Sequence, residues 1–257
     1  MIVDGKMLAE LRIQELSKER SAYGALSLSI VVMQEDAVTS SFLKIKRRVA
    51  ERLHVTVDYV PKLEDARGDG VIVQLPLPTG VSVDAVRNAI PLMKDVDGLS
   101  DAAFDAFSRG EFPPPPVARA IAFVLTHHQV PVRGRQVAVL GQGRLVGRPA
   151  AELMRQMGAE VTVLERGASL EALHTADIVI LGAGAPGLVK PEMVKDGVVI
   201  LDAGTSEAAG KVVGDADSEC VHKASLMTPV PGGIGPIAVA EIFANLFHLA
   251  GKRGMAG

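Results

Sequence analysis

The stretch of this chain with the clearest chemistry is Gly141-Gln142-Gly143-Arg144-Leu145-Val146-Gly147, set between an apolar, β-prone run at Gln136–Leu140 and an amphipathic stretch at Ala150–Met157. Strand, glycine turn and helix follow one another. Glycines at 141 and 143 let the backbone turn tightly and approach a pyrophosphate, whose charge meets free amides and the positive end of the helix. The Gly-x-Gly-x-x-x-Gly spacing is one residue longer than the common dinucleotide fingerprint, and an unliganded βα turn is the plain alternative. A second strand, Glu160–Leu164, follows and runs into Glu165, whose carboxylate could accept hydrogen bonds from ribose hydroxyls. Two further groups carry polar chemistry. Phe42 and Lys46 stand four residues apart on a basic amphipathic stretch, hence on one helical face. The run Lys44, Lys46, Arg47 and Arg48 also reads as a solvated face. Asp95 and Asp97 lie in Lys94-Asp-Val-Asp-Gly98, a composition that serves turns as often as catalysis.

Composition narrows the partners. With 257 residues the chain has length for two cores, and 48% hydrophobic with 22% charged residues at a net charge of −3 is ordinary globular composition that points to no nucleic acid. The one cysteine, Cys220, excludes an intrachain disulfide and a multi-cysteine zinc site. Histidines 54, 127, 128, 174, 222 and 248 form no pair at ligand spacing, so no metal is expected. The start of the chain has no apolar core of signal-peptide length, and no apolar run reaches the roughly 18 residues of a membrane span. A cytoplasmic protein without a membrane partner is the expectation.

The elements that must position these groups read as α/β. A helix over Met7–Leu16, a strand at Leu26–Met33, the basic helix from Thr39 to Leu53 and strands at Val55–Val60 and Gly70–Leu75 make a first domain. Only about ten residues link the last two strands, at or below the lower limit for a parallel crossover with a helix, so a loop or single turn is expected there. Pro76-Leu-Pro-Thr-Gly80 stops the third strand, and Val81–Ile90 can be helical. Four prolines in Phe112-Pro-Pro-Pro-Pro-Val117 mark the linker. Beyond it come a helix at Ala118–Gln129 and strands at 136–140, 160–164, 177–181 and 198–202, the rhythm of a parallel sheet. Val212–Asp215 reads as a further short strand or hairpin arm, Thr228–Pro236 as a conformationally special loop, and Ile237–Leu249 as a last helix that returns to the first domain. The tail from Gly251 reads as frayed.

Val73-Gln-Leu-Pro-Leu-Pro78, Lys94-Asp-Val-Asp-Gly98, Val146-Gly-Arg-Pro149, Val213-Gly-Asp215 and Thr228-Pro-Val-Pro-Gly-Gly-Ile-Gly-Pro236 together resemble, in order and spacing, the bifunctional methylenetetrahydrofolate dehydrogenase/methenyltetrahydrofolate cyclohydrolase family. The resemblance extends from Asp4-Gly-Lys6 to the helix near Leu249. It implies two domains flanking a cleft: a small three-layer α/β folate domain over 1–115, joined by the C-terminal helix 237–257, and a Rossmann-like parallel-sheet dinucleotide domain over 116–236. It further implies oxidation of methylenetetrahydrofolate with NADP or NAD, hydrolysis of the methenyl product, tetrahydrofolate one-carbon derivatives as partners, and a homodimer.

Residue roles follow from the same resemblance. The family's Tyr-x-x-x-Lys falls on Phe42 and Lys46, with Lys46 catalytic; an ammonium flanked by cations and partly desolvated gives up its proton more readily. Gln74 orients that lysine, and Asp97 grips the pterin through paired hydrogen bonds. Phe42, Pro231, Gly232 and Gly233 are implied to contact substrate, the last three across the cleft floor. Gly141, Gln142, Gly143, Val146, Gly147, Glu165, Arg166 and Thr205 are implied to hold the cofactor, with Arg144 a second cation near a ribose phosphate. Three departures stand out. Phe42 lacks the tyrosine hydroxyl, Gln142 replaces a frequent arginine, and the family's crossover helix between the second and third strands is missing. The first exposes the hydrolytic step most, because that step must place a water and move its proton. Two rival readings go with them: a dehydrogenase without cyclohydrolase activity, and a non-catalytic binder.

Overall fold

In the computed structural model, which describes residues 1–34, 37–208 and 211–255, the chain divides into two compact units. One contains Glu10–Pro116 and Val239–Gly257; the other contains Met1–Ala9 and Val117–Ala238.

The first unit is built on a parallel three-stranded sheet in the order β2-β1-β3, with β1 at Leu26–Val31, β2 at Val55–Val60 and β3 at Gly70–Val73. Helix α1 (Gly5–Glu19) leads in, and α2 (Ala37–Arg52) makes the crossover from β1 to β2 and packs on β2. The link from β2 to β3 passes across β1 with a single 3-10 turn at Leu63–Asp65. Polar side chains explain how so short a crossover is held. Ser29 Oγ on β1 accepts the amides of Arg67 and Gly68 and donates to Asp58, while the Asp69 carboxylate accepts from the amide and hydroxyl of Ser27. Two serines thus satisfy the loop's backbone where a helix would present apolar side chains. Gly68 is required, since a Cβ there would lie 2.5 Å from the Ser29 amide nitrogen. The rest of this face is apolar, with Val31, Val71, Val73, Ile90 and Leu99 packed together. Short helices α3 (Val83–Asn88) and α4 (Asp101–Ser108) start at Ser82 and Ser100, whose hydroxyls cap the amides of Ala85 and Ala103.

The second unit carries α5 (Pro116–His127) and a parallel five-stranded sheet in the order β10-β7-β6-β4-β5. Its strands are β4 (Gln136–Leu140), β5 (Glu160–Leu164), β6 (Ile178–Leu181), β7 (Val199–Asp202) and β10 (Leu226–Met227), with α6 (Gly147–Gln156) between β4 and β5. An antiparallel pair, β8 (Ser206–Ala208) and β9 (Lys211–Val213), lies between β7 and β10. The buried strand β6 is a continuous apolar run, and β7 is one up to its last residue, Asp202, as a parallel sheet covered on both faces demands.

Helix α7 (Ile234–Met255) starts in the second unit and passes into the first at Val239. It is long and apolar enough to cross a membrane, yet 72% of that apolar window is buried inside the protein.

Three expectations need correction. Residues 1–9 belong with the second unit, because Ile2 bridges Met227 and the Val3 amide donates to the Met227 carbonyl at 2.9 Å. The tail is helical through Met255, anchored where Lys252 Nζ donates to the Glu111 carbonyl and Arg253 to the Asp69 carbonyl. The third strand ends at Val73, so Gln74 stands just past its end, and the Leu75-Pro76 peptide bond is cis.

Candidate active site

In the first unit, three polar side chains converge from three separate elements. Lys46 lies on the inward face of α2 and is only 9% exposed, so the solvated-face reading of its basic run holds for Lys44, Arg47 and Arg48 but not for Lys46. Its Nζ donates to Gln74 Oε1 at 2.7 Å. Gln74 is held from both ends: its amide donates to the Val31 carbonyl, and its Nε2 donates to the Leu75 carbonyl at 2.8 Å, which leaves Oε1 for the lysine. Burial lowers the Lys46 pKa, and the nearby Asp97 carboxylate opposes that fall. The expected influence of neighbouring cations is not the cause, since those side chains point to solvent and Lys46 is desolvated by the fold itself.

The Asp-Val-Asp-Gly stretch divides its two carboxylates between two tasks. Asp95 is fully buried and accepts from the amides of Leu99 and Ser100 at 3.0 and 2.8 Å, which makes it the structural acceptor of the turn. Asp97 is half-buried and makes no hydrogen bond or ion pair among the described residues. Burial raises its pKa to about 6, against the pull of Lys46 and with a further push from Asp95. An unsatisfied, desolvated carboxylate beside a desolvated ammonium is an arrangement that a bound ligand can complete. Phe42 shares the α2 face with Lys46 and is 38% exposed, a large aromatic surface left open to solvent.

In the second unit, the turn after β4 is shaped by close backbone contact. Gly141 has φ 91°, and its amide donates to the Leu164 carbonyl at 3.0 Å. A Cβ on Gly147 would lie 1.9 Å from the Gly141 carbonyl oxygen, so these two glycines close the turn. Gly143 is different. The nearest atom to a Cβ there is 3.9 Å away, so nothing in the protein requires glycine at that position. The backbone amides of Gln142 and Gly143 also donate to no group among the described residues. Free amides, an open approach and the start of α6 suit a pyrophosphate, so the turn fits a dinucleotide. Val146 precedes α6 and fills the space beside Gly182, where a Cβ would come within 2.4 Å of its Cγ1.

The remaining residues fall at the ends of sheet strands. Glu165 and Arg166 directly follow β5 and are exposed, and the Gly141–Leu164 hydrogen bond sets them beside the glycine turn. Arg144 is exposed on that turn, and Thr205 is exposed after β7. Pro231, Gly232 and Gly233 belong to the second unit; the Val230-Pro231 bond is cis and Gly232 has φ 100°. A Cβ on Gly5 would lie 1.9 Å from the Gly233 carbonyl oxygen, so the Asp4-Gly-Lys6 segment packs on this loop. That contact requires glycine at position 5, whereas Gly233 is required by its own loop, where a Cβ would lie 2.5 Å from the Pro229 carbonyl oxygen.

Sequence reasoning passed over Asp202. It ends β7, is 2% exposed, and its carboxylate accepts the amides of Gly204 and Ala216, each at 2.9 Å. Burial raises its pKa to about 6, and the neighbouring Asp215 adds to the rise. Gly214 leaves room for this carboxylate, since a Cβ there would lie 2.2 Å from Asp202 Oδ2. Among the described residues, no group of His, Cys, Asp and Glu could hold a metal ion.

A family model described as the tetrahydrofolate dehydrogenase/cyclohydrolase NAD(P)-binding domain matches residues 115–254. The chain is 35% identical over 250 residues to the bifunctional protein FolD of Nocardia farcinica, which covers 89% of this chain and 88% of that one. It is 33% identical to that of Methanoculleus marisnigri, with 98% and 97% covered. Among solved structures, the methylenetetrahydrofolate dehydrogenase-cyclohydrolase of Trypanosoma brucei, complexed with NADP and inhibitor, gives a TM-score of 0.91 at 28% identity and covers 100% of this chain and 99% of that one. The Campylobacter jejuni enzyme gives 0.90 at 28% identity, with 98% and 99% covered.

Proposed function

The chain belongs to the tetrahydrofolate dehydrogenase/cyclohydrolase family, and from that premise we propose that it oxidises methylenetetrahydrofolate to methenyltetrahydrofolate with NAD(P) and hydrolyses the product to 10-formyltetrahydrofolate. The observation that carries this reading is the Lys46–Gln74 hydrogen bond at 2.7 Å beside the unpartnered Asp97 carboxylate. A protein that only held nucleotide would need none of the three.

In this reading Asp97 accepts two hydrogen bonds from the aminopyrimidinone edge of the pterin, and Phe42 stacks on the flat ring. Pro231, Gly232 and Gly233 are assigned to substrate as well, the two glycines offering backbone without side chains. The glycine turn at 141–147 receives the pyrophosphate on the amides of Gln142 and Gly143. Thr205 lies with this cofactor set. When bound, the nicotinamide accepts the hydride that leaves the methylene carbon. Hydrolysis adds a water to the methenyl carbon, releases one proton and breaks one carbon–nitrogen bond of the ring. Lys46 is the group that handles that proton, because its burial eases proton loss and Gln74 fixes its position. Glu165 favours a free ribose hydroxyl and Arg166 a ribose phosphate, so these adjacent residues set the preference between NAD and NADP. A cytoplasmic homodimer completes the reading.

A specific observation favours a second reading, a dehydrogenase with little cyclohydrolase activity: Phe42 presents no hydroxyl beside Lys46. One assay separates the two. Purified protein is given methylenetetrahydrofolate with each nicotinamide cofactor, and reduced cofactor and methenyl absorbance are followed separately. Reduced cofactor with transient methenyl supports the bifunctional reading; accumulating methenyl supports the second. No reduced cofactor with either nucleotide sinks both.

A further inference from the structure

Asp215 has no part in the reaction as described, yet the fold spends a fully buried carboxylate on it. Its Oδ2 accepts the amides of Ala183 and Gly184 at 2.7 and 3.1 Å, and its Oδ1 accepts that of Ala185 at 2.7 Å. Gly204 closes the other side, where a Cβ would lie 2.4 Å from Asp215 Cγ. Neither Asp215 nor its neighbour Asp202 forms an ion pair among the described residues; each is held by backbone amides. Two such carboxylates side by side repel each other, whereas the nearby loop carboxylates Asp177 and Asp217 are each paired with a lysine, Lys195 and Lys190.

The loop that Asp215 holds has a special place in the sheet. The chain leaves β4 for the edge strand β5 and re-enters at β6, on the other side of β4. In a parallel sheet, ligands bind outside the carboxyl ends of the strands at such a reversal. The loop after β6 therefore borders the same crevice as the glycine turn after β4. The two loops touch: a Cβ on Gly141 would lie 2.6 Å from the Gly182 carbonyl oxygen, and Val146 fills the space beside Gly182.

Three successive amides form a concavity that binds anions, and here the chain fills it with its own carboxylate. Peptide units are planar and trans, so amides turned toward Asp215 turn the carbonyls of Ala183 and Gly184 the other way. The loop thereby offers acceptors, which match ribose hydroxyls and a carboxamide and repel phosphate oxygens. We propose that Asp215 is a positioning residue for the cofactor: by drawing the 183–185 amides inward it reserves the pyrophosphate for the glycine turn and presents the Ala183 and Gly184 carbonyls to the ribose and carboxamide of the nicotinamide half. This rests on the cofactor reading above.

Calorimetry on the full chain tests it, with the dinucleotide the unmodified protein binds more tightly and the matching adenylate half, ADP for NAD or 2′,5′-ADP for NADP. Asp215→Asn replaces one acceptor oxygen by a donor that faces an amide. It is expected to weaken the dinucleotide about tenfold while the adenylate half stays within about twofold. Gly184→Ala leaves the carboxylates in place and strains the loop through the backbone alone, since Gly184 has φ 65° and a Cβ would meet only Ser206 Oγ at 3.9 Å. It is expected to weaken the dinucleotide about threefold with the same selectivity, and it decides the matter if Asp215→Asn fails to fold. Equal losses for dinucleotide and adenylate half, or unchanged dinucleotide affinity in the folded variants, overturn the proposal. If the unmodified protein binds neither dinucleotide, the cofactor reading falls first and this inference with it.

Discussion

Each unit holds a carboxylic acid whose pKa is pushed up to about 6 by burial, Asp97 in one and Asp202 in the other. The surroundings differ in every other respect. Asp97 is half-buried, accepts nothing within the described structure, and feels the Lys46 ammonium. Asp202 is sealed, saturated by the amides of Gly204 and Ala216, and has another anion, Asp215, for a neighbour. A perturbed carboxyl therefore does not by itself mark a reacting centre. What separates the two is their partners: Asp202 has its acceptors filled by the chain, whereas Asp97 has them open, next to the desolvated Lys46 ammonium that Gln74 holds.

The contrast can be attacked at four points. Lys46→Met is expected to keep a cooperative melt and to lose roughly 10²–10⁴-fold in turnover, the range for a positioned acid/base group. Near-normal rates in both half-reactions would remove Lys46 from the chemistry. Asp202→Asn addresses stability. Because folding favours the protonated form of Asp202, its contribution is present below about pH 4 and is lost as pH rises through about 6. The variant cannot titrate there, so its stability relative to the parent should climb between those limits by up to about 3 kcal/mol, at 1.36 kcal/mol per pH unit. Urea unfolding across that window measures this, and a difference flat with pH would show that Asp202 titrates ordinarily. Asp97→Asn keeps one acceptor and loses the other, so folate binding should weaken by about 1–3 kcal/mol with nucleotide binding unchanged. Calorimetric folate affinity equal to that of the parent would reject the assignment. The smallest effect is expected from Phe42→Tyr, which should raise hydrolysis a few-fold and hydride transfer less; an unchanged ratio of the two rates would show the hydroxyl to be dispensable beside Lys46.

The parallel sheet of the second unit was legible almost residue by residue, because β4 and β5 are apolar runs bounded by glycine turns. So was the pairing of Phe42 with Lys46, which needs only helical spacing. The burial of Lys46 was not, since amphipathicity of α2 does not say which of four clustered cations meets Gln74 from a distant strand end. Helix α4 was missed although Ser100 and the spacing of Ala103, Ala106 and Phe107 announce it. Asp202 was beyond reach for a different reason. A carboxylate after an apolar strand ordinarily reads as solvated, and only the fold brings the amide of Ala216 to it. Edge strand β10, two residues long, leaves no periodicity to read.

The course of α7 bears on how the protein is made. Its later turns complete the first unit: Leu246 packs at Gly70 on β3, Asn245 Nδ2 donates to the carbonyls of Val96 and Pro114, and Arg253 donates to that of Asp69. These residues leave the ribosome after the sheet of the second unit. The first unit, whose sheet is synthesised before that of the second, thus waits, with the face around Gly70 uncovered, until the second unit has been translated. Domains that fold in order of emergence escape such a delay. Here a nascent chain stalled before Val239 holds an unfinished first unit, a natural client for a chaperone at the ribosome exit.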